Sequence, residues 1–416
     1  MNIAVIGGGF SGMIAAITAA DAGATVTIFE HMKRVGKKIL LTGSGKCNIS
    51  NSDMDIRHFH SGNIDRVKSV LRDASSVDTL AYLEELGLYC RQKNGYIYPF
   101  CEQASAVLDV LRFALRDRGI EVYTDTDIKL IEKSPEAKSG SSVHSILVKT
   151  DSMSFEFDRV IICCGSCANR NTGSDGSGYS IASALGHKII KPLPALTSLD
   201  GEEDFFPSIA GIRTMATVSL FADPDNGSSR LLGKEYGQLQ FTKTGISGIC
   251  VFNISRFAVK ELDEGIRVKA MIDLLPDVTW SEISDLGRRR MERFAGRDME
   301  EFFTGLLAKP LGNCILKRCQ ISLKDKCSTI SDEKLLDLCK MIKEFETNIV
   351  SYAGFDSAQT TQGGVDLDEV TDELESRLIT GVYFAGEILD VDGVCGGYNL
   401  QWAASSAMIA ARGACK

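Results

Sequence analysis

The run MNIAVIGGGFSGMIAAITAADAGATVTIFEH constrains the fold more than any other stretch of the 416 residues. Ile3 to Ile6 form a short, wholly apolar run of the kind a buried parallel strand requires. Gly7, Gly9 and Gly12 follow at G-x-G-x-x-G spacing, and Met13 to Ala20 supply small and apolar residues for a helix that Gly23 ends. Thr25 to Phe29 read as a second strand closing on Glu30. The glycine pattern alone is a weak signal, but strand, helix, second strand and acidic residue together make a complete βαβ phosphate cradle. Gly7 permits the tight turn, Gly9 lets a pyrophosphate approach the backbone, and Gly12 lets helix and strand pack closely. The helix N-terminus offers unpaired N–H groups and a positive dipole to phosphates, and Glu30 is placed for the hydroxyls of an adenosine ribose.

A chain of this length holds two or three domains. Its net charge of −9 argues against a general nucleic-acid or acidic-membrane binder. The start reads as a strand rather than a signal peptide, and no apolar run approaches the length of a membrane span. Thirteen cysteines do not form a secreted disulfide framework in a chain this long, nor is there a pair of C-x-x-C motifs at zinc spacing. Reduced thiols and a cytoplasmic location are expected.

The C-terminal part decides between FAD and a nicotinamide dinucleotide. LITGVYFAGEILD (378–390) is a strand ending on a small-residue turn and Glu387, and it resembles the second FAD fingerprint of glutathione-reductase-type flavoproteins. DVDGVCGGYNLQWAASSAMIAARGA (390–414) then feeds a glycine-rich loop into a helix, aiming a helix N-terminus where negative charge on a reduced flavin would be stabilised. DRVIICCGS (158–166) is an apolar strand ending in a small residue and Gly165, where such flavoproteins return to the cofactor domain. All three in this order favour FAD.

GKKILLTGSGKCNISN (36–51), FTKTGISG (241–248), TQGGVDLDEV (361–370) and FAGEILDVDGVCGGYNLQWAASSA (384–407) resemble the signature segments of the BaiN-like family. These are NAD(P)/FAD-dependent flavoprotein oxidoreductases to which aminoacetone oxidase is related. Lys46 stands where arginine is usual before Cys-Asn, and CCGS replaces an Ala-Thr-Gly-Gly type of turn. The resemblance implies an α/β fold: a glutathione-reductase-type, Rossmann-like FAD domain with an inserted small β-barrel and helical subdomain. The expected boundaries are 1–191 and 345–416 for the FAD domain, and 192–344 for the insert, with the barrel at about 192–279 and the helical piece at about 280–344. TMATVSLFA and QLQFT alternate as barrel strands should, while WSEISDLGRRRMERF, MEEFFTGLLAK and EKLLDLCKMIKEF have helical periodicity. Elsewhere, 63–72, 76–86 and 103–118 read as helices, GYIYP as a strand with a turn, and 135–145 as a surface hairpin turn.

The expected cofactor set is Gly7, Gly9, Ser11 and Gly12 in the cradle, Glu30, then Lys37 and Lys38 at the distance where family members place a basic residue on the pyrophosphate. It continues with Gly43, Cys47 and Asn48 in the GSGKCN loop, Ile128 (a backbone contact to adenine), Gly165, Gly386, Glu387, Gly397, Asn399 and Leu400. No nucleophile motif stands out; Ser44 lies among glycines in a loop better explained by the cofactor. His58 and His60 alternate without a further partner, so no metal is expected. Cys47 lacks the nearby second cysteine of a redox disulfide, and Cys163, Cys164 and Cys167 suit packing. With no redox relay of its own, the protein leaves the hydride to flavin. Asp390, Asp392, Tyr398, Asn399 and Gln401 are expected over the flavin ring, with Tyr398 and Asn399 as candidate catalytic groups.

The resemblance implies hydride transfer between FAD and a small-molecule substrate, foremost reduction of an activated C=C bond such as that of an oxo-bile acid. No second G-x-G-x-x-G domain is visible, which leaves NADH or NADPH as a transient donor. An oxygen-using oxidase of a small amine such as aminoacetone is the first alternative. A flavin-holding binding module or RNA-modification partner is the second, disfavoured by the acidic charge. Oligomeric state stays open.

Overall fold

The computed structural model describes residues 1–134, 145–223 and 228–416. The turn expected at 135–145 lies outside these except for its last residue. The chain divides into two units, one of Met1–Pro194 with Phe355–Lys416 and the other of Ala195–Gly354.

The first unit is organised by a five-stranded parallel sheet in the order Val382–Phe384, Arg159–Ile162, Asn2–Ile6, Thr25–Phe29, Glu121–Tyr123. Ile3, Ala4 and Val5 are fully buried, which is why this central strand is an unbroken apolar run. Helix Phe10–Asp21 follows the glycine turn, and the long C-terminal helix Tyr398–Ala414 packs against it. Both helices are rich in alanine, with serine and glycine among their buried residues, and small side chains let packed backbones approach. An antiparallel sheet of Leu130–Lys133, Ile146–Lys149 and Ser154–Phe157 packs through Phe155 and Phe157 onto Phe29, with ring centroids 5.0 and 5.9 Å away. The expected helices form at Ile64–Asp73, Ser76–Glu85 and Ala104–Asp117.

The second unit is a closed barrel of six antiparallel strands: Leu199–Gly201, Gly245–Ser247, Arg230–Phe241, Arg213–Asp223, Arg267–Asp273 and Phe345–Tyr352. Ala216, Val218, Leu220 and Ala222 point inward at every second position, as do Val268, Ala270 and Ile272. The sequence reading needs three corrections here. The closing strand Phe345–Tyr352 lies beyond residue 344, so this unit ends at Gly354; Phe345, Thr347 and Ile349 are its buried set. Helix Ile249–Asp263, read as barrel material, packs on the barrel through Val251, Ile254, Ala258 and Val259 at helical spacing. MEEFFTGLLAK does not form a helix: after a single turn at Met299–Glu301, Gly305 takes φ +78° and the next helix starts only at Lys309–Arg318, with proline in its first turn.

Candidate functional site

The glycine cradle shows its logic position by position. Gly7 has φ +103°, and a Cβ there would lie 2.4 Å from the Cys163 carbonyl oxygen of the neighbouring strand. At Gly12 a Cβ would come within 1.9 Å of the Gly7 carbonyl oxygen, so helix and strand cross at a distance only glycine permits. At Gly9 a Cβ would meet nothing within 4 Å, which leaves the backbone open to a ligand. No side chain caps helix Phe10–Asp21. Its first-turn N–H groups therefore need an outside acceptor, water or an anion.

Glu30 ends the second strand at 8% exposure and ties the cradle together. Its Oε2 accepts the Gly8 N–H at 2.8 Å and its Oε1 the Met32 N–H at 2.8 Å. A carboxylate accepts about four hydrogen bonds, so lone pairs remain for hydroxyls of a ligand.

These groups line one wall of a cavity with about 1140 Å³ of empty space, its mouth included. Of the expected residues, Gly7, Gly9, Ser11, Glu30, Lys37 and Lys38 line it. So do Ile128, Gly165, Glu387, Asn399 and Leu400. Segments from both ends of the sequence thus converge, because the strands before Gly165 and Glu387 are sheet neighbours. Lys38 Nζ contacts Glu387 Oε2 at 2.5 Å, and the Thr360 hydroxyl donates to Glu387 Oε1 at 2.5 Å. Lys37 Nζ donates to the Asn171 carbonyl at 2.6 Å instead of pointing freely into the space.

Other expected residues stand behind the wall. Gly12 acts through packing, as above. Gly386 is pinned to the C-terminal helix: its N–H donates to Ser406 Oγ at 2.9 Å, and its carbonyl accepts the Trp402 indole N–H at 3.1 Å. Gly397, at φ +96°, caps that helix. Gly43 adjoins Asn48, whose buried Oδ1 has no hydrogen-bond partner. Such an orphaned acceptor calls for a ligand or water donor. Cys47 is fully buried, and burial pushes its thiol up to about 12.

Tyr398 does not line the cavity. It is 4% exposed and packs on His58 and Phe59, with centroids 4.6 and 5.5 Å away. Burial pushes its phenol up to about 12, so it stays protonated. The Asn399 amide is spent on the glycine loop: Oδ1 accepts from Gly393 N–H and Nδ2 donates to Gly393 O, both at 2.8 Å. It is a positioning residue. Gln401, fully buried, bonds Ser50, Thr79 and Ser405 instead of facing the cavity. Asp390 and Asp392 are buried and absent from the lining, and Asp390 accepts the Gly62 N–H at 2.9 Å.

Sequence reasoning missed Arg34, Thr42, Gln359 and the Thr172–Gly173–Ser174 turn, all in the lining. The turn had a signal, since NTGSDGSG is a glycine- and serine-rich run opening helix Ser177–Ala184. Among the described residues no group of three or more His, Cys, Asp or Glu is arranged to hold a metal ion, and no helix is long and apolar enough to cross a membrane.

Fold and cavity together define a Rossmann-type dinucleotide-binding protein. The chain belongs to the HI0933-like family: residues 1–413 match the family described as HI0933-like protein Rossmann domain. It is 37% identical over 416 residues to the 3-dehydro-bile acid delta(4,6)-reductase of Clostridium scindens, covering 99% of this chain and 98% of that one. It is 29% identical over 409 residues to the ribosomal RNA dihydrouridine synthase of Haemophilus influenzae, covering 97% and 96%. Among solved structures it is similar to the 3-ketosteroid-delta4-(5alpha)-dehydrogenase from Rhodococcus jostii RHA1 in complex with 4-androstene-3,17-dione (16% identity, 100% of this chain, 96% of that chain, TM-score 0.49). The resemblance read from the signature segments is borne out by the family match and the Clostridium relative.

Proposed function

We propose that this chain is an FAD-dependent oxidoreductase that reduces a C=C bond conjugated to a carbonyl group. Its substrate is a small molecule of the oxo-bile-acid kind, and NADH or NADPH is its electron donor. The observation that carries this reading is the convergence on one cavity of the Gly7–Ser11 cradle, Glu30, Glu387 and the Asn399–Leu400 start of the C-terminal helix. FAD, when bound, supplies the two-electron chemistry that no side chain performs.

The chain's own residues bind and orient. The uncapped first turn of helix Phe10–Asp21 and Lys38 hold the pyrophosphate, and Glu30 accepts from the ribose hydroxyls. The C-terminal helix turns its N-terminus, also without a side-chain cap, toward the pole where negative charge accumulates. Asn399 fixes the loop before it. Asn48 Oδ1 offers a buried acceptor to a donor of the cofactor. All thirteen cysteines are free thiols, which suits a cytoplasmic protein.

The names of the two relatives describe one chemistry. A bile acid delta(4,6)-reductase saturates C=C bonds conjugated to a ketone, and making dihydrouridine saturates the uracil C=C bond conjugated to a carbonyl. The second reading, a uridine in RNA as substrate, draws on the 29% relative. The higher identity to the bile-acid enzyme and the net charge of −9 favour the small molecule.

The test is anaerobic. The purified protein is expected to be yellow with FAD, to bleach with NADH or NADPH, and to regain colour with a 3-oxo-4-ene steroid. Release of FMN, or a colourless protein that takes up no FAD, refutes the cofactor. Peroxide production from amines in air, without steroid reduction, refutes the reductase.

A further inference from the structure

The sequence holds a single C-x-x-C spacing, Cys164–Gly165–Ser166–Cys167, and binding of the cofactor leaves both thiols unused. Cys163 beside them is buried, whereas Cys164 and Cys167 are half-buried, and Cys164 and Gly165 line the cavity. The two sulfurs face the same short stretch of chain. A Cβ on Gly178 would lie 3.4 Å from Cys164 Sγ, and one on Gly176 would lie 2.7 Å from Cys167 Sγ.

Ser166, between the cysteines, ties the pair to the cavity wall. Its N–H donates to Ser174 Oγ at 3.1 Å, and its carbonyl accepts the Ser174 hydroxyl at 3.2 Å and the Gly176 N–H at 3.0 Å. Ser174 lines the cavity with Thr172 and Gly173, and Lys37 Nζ holds the Asn171 carbonyl just before them. A disulfide needs Cα atoms about 4.4–6.8 Å apart, whereas three Cα steps can span about 11 Å. Residues 163–166 run without helix or turn, so a bridge must fold Gly165 and Ser166 into one. That movement pulls on the three Ser166 bonds, and with them on Gly165 and Ser174 in the cavity wall.

The surroundings rank the two thiols. Burial raises both above the ordinary range. Around Cys164 the Cys163 thiol and the carboxylates of Glu30, Asp175 and Asp127 raise it further, whereas Arg170 opposes the rise at Cys167. Cys167 is therefore the attacking thiol of the pair.

We propose that Cys164 and Cys167 form a thiol–disulfide exchange site that sets whether the cavity accepts FAD, with a low-molecular-weight disulfide as its oxidant. The Cys167 thiolate attacks the small disulfide, giving a mixed disulfide and one small thiol. Cys164 then displaces the second small thiol, so the pair gives up two protons and two electrons and the small disulfide becomes two thiols. The flavin takes no part in the exchange. The proposal rests on the FAD reading above and goes beyond it, because it assigns a modification site that governs cofactor loading.

The experiment equilibrates the full-length protein, FAD-free and FAD-loaded, with excess oxidised glutathione and weighs the unreduced tryptic peptide Val160–Arg170. In the FAD-free protein this peptide should become two hydrogens lighter, and bound FAD should slow the change. The bridged protein should bind FAD at least about tenfold more weakly, the loss expected when one or two neutral hydrogen bonds of the wall are broken, and dithiothreitol should restore the affinity. By reciprocity, saturating FAD should raise the reduction potential of the pair by about 30 mV for each tenfold. Cys163→Ala should keep the bridge, and Cys164→Ser and Cys167→Ser should each lose it. A peptide of unchanged mass, a bridge that survives in Cys167→Ser, or a bridged protein with the FAD affinity of the reduced one overturns the proposal. A reduced protein that takes up no FAD refutes the cofactor reading instead, while the peptide mass still decides the exchange site.

Discussion

Removing the Glu30 carboxylate tests whether it holds the cradle shut as well as contacting ribose. In the protein the carboxylate, on a residue 8% exposed, accepts two backbone N–H groups, from Gly8 and Met32, both at 2.8 Å. Hydrogen bonds to a charged group contribute about 1.5–3 kcal/mol each, but the cavity beside Glu30 admits water that can replace part of both. Glu30→Ala should therefore destabilise the FAD-free protein by about 2–3 kcal/mol. For a unit of this size each kcal/mol moves the melting temperature by about 2–4 °C, so the drop should be roughly 4–12 °C. FAD affinity should fall at least about tenfold, as the ribose contact goes too. Differential scanning calorimetry without FAD, with FAD titrated separately by fluorescence, separates the two effects. Saturating FAD should restore part of the melting temperature, because a ligand of the folded state stabilises it. A variant whose FAD-free melting temperature matches the parent within 1 °C would show that the two N–H bonds carry no net stability, and the reasoning about the cradle would fall.

Gly9→Ala should leave the FAD-free melting temperature close to the parent's yet weaken FAD, whereas Gly12→Ala should itself lower stability by about 1–3 kcal/mol or more through its clash with Gly7; equal melting temperatures for the two variants refute this. Burial holds the His187 imidazole below its ordinary 6.5 between Glu369 and Ser376, so the unfolded chain takes up the proton first and stability falls as pH drops below about 6.5. His187→Gln should flatten that part of the pH–melting curve, and an unchanged slope argues against it. Alkylation with iodoacetamide followed by mass spectrometry should mark exposed Cys101 in the native protein and spare Cys47 and Cys163, whose thiols burial pushes up to about 12; early labelling of Cys47 contradicts its burial.

The cradle was legible because its requirements are local. Each glycine answers to a neighbour within a few residues or on the adjoining strand, and Glu30 follows its strand directly. The barrel strands around Val218 and Leu239 were legible through period-two alternation. Helix Ile249–Asp263 was less so, since its buried face includes Cys250, Ser255 and Glu261 and dilutes the apolar stripe. At Phe302 and Phe303 the apolar spacing misled: both are buried, but in turns that Gly305 breaks before a helix can form. Gln359 and Thr172 reach the cavity only by tertiary placement, which no local pattern encodes. Tyr398 failed as a candidate for a similar reason. The loop position was right, but the ring's direction depends on His58 and Phe59, distant in sequence.

The order of strands in the parallel sheet has a consequence for how the protein is made. Residues emerging early from a ribosome include the strand Arg159–Ile162, but its neighbour Val382–Phe384 and the helix Tyr398–Ala414 emerge last. The barrel is contiguous and complete by Tyr352. Domains tend to fold as they are synthesised, so the second unit should reach its native state while the first still waits with an open strand edge. Nascent chains halted after Gly354 has left the ribosome but before Val382–Phe384 has should therefore hold a protease-resistant barrel and no site for a dinucleotide, and the waiting edge is where a chaperone has its opportunity.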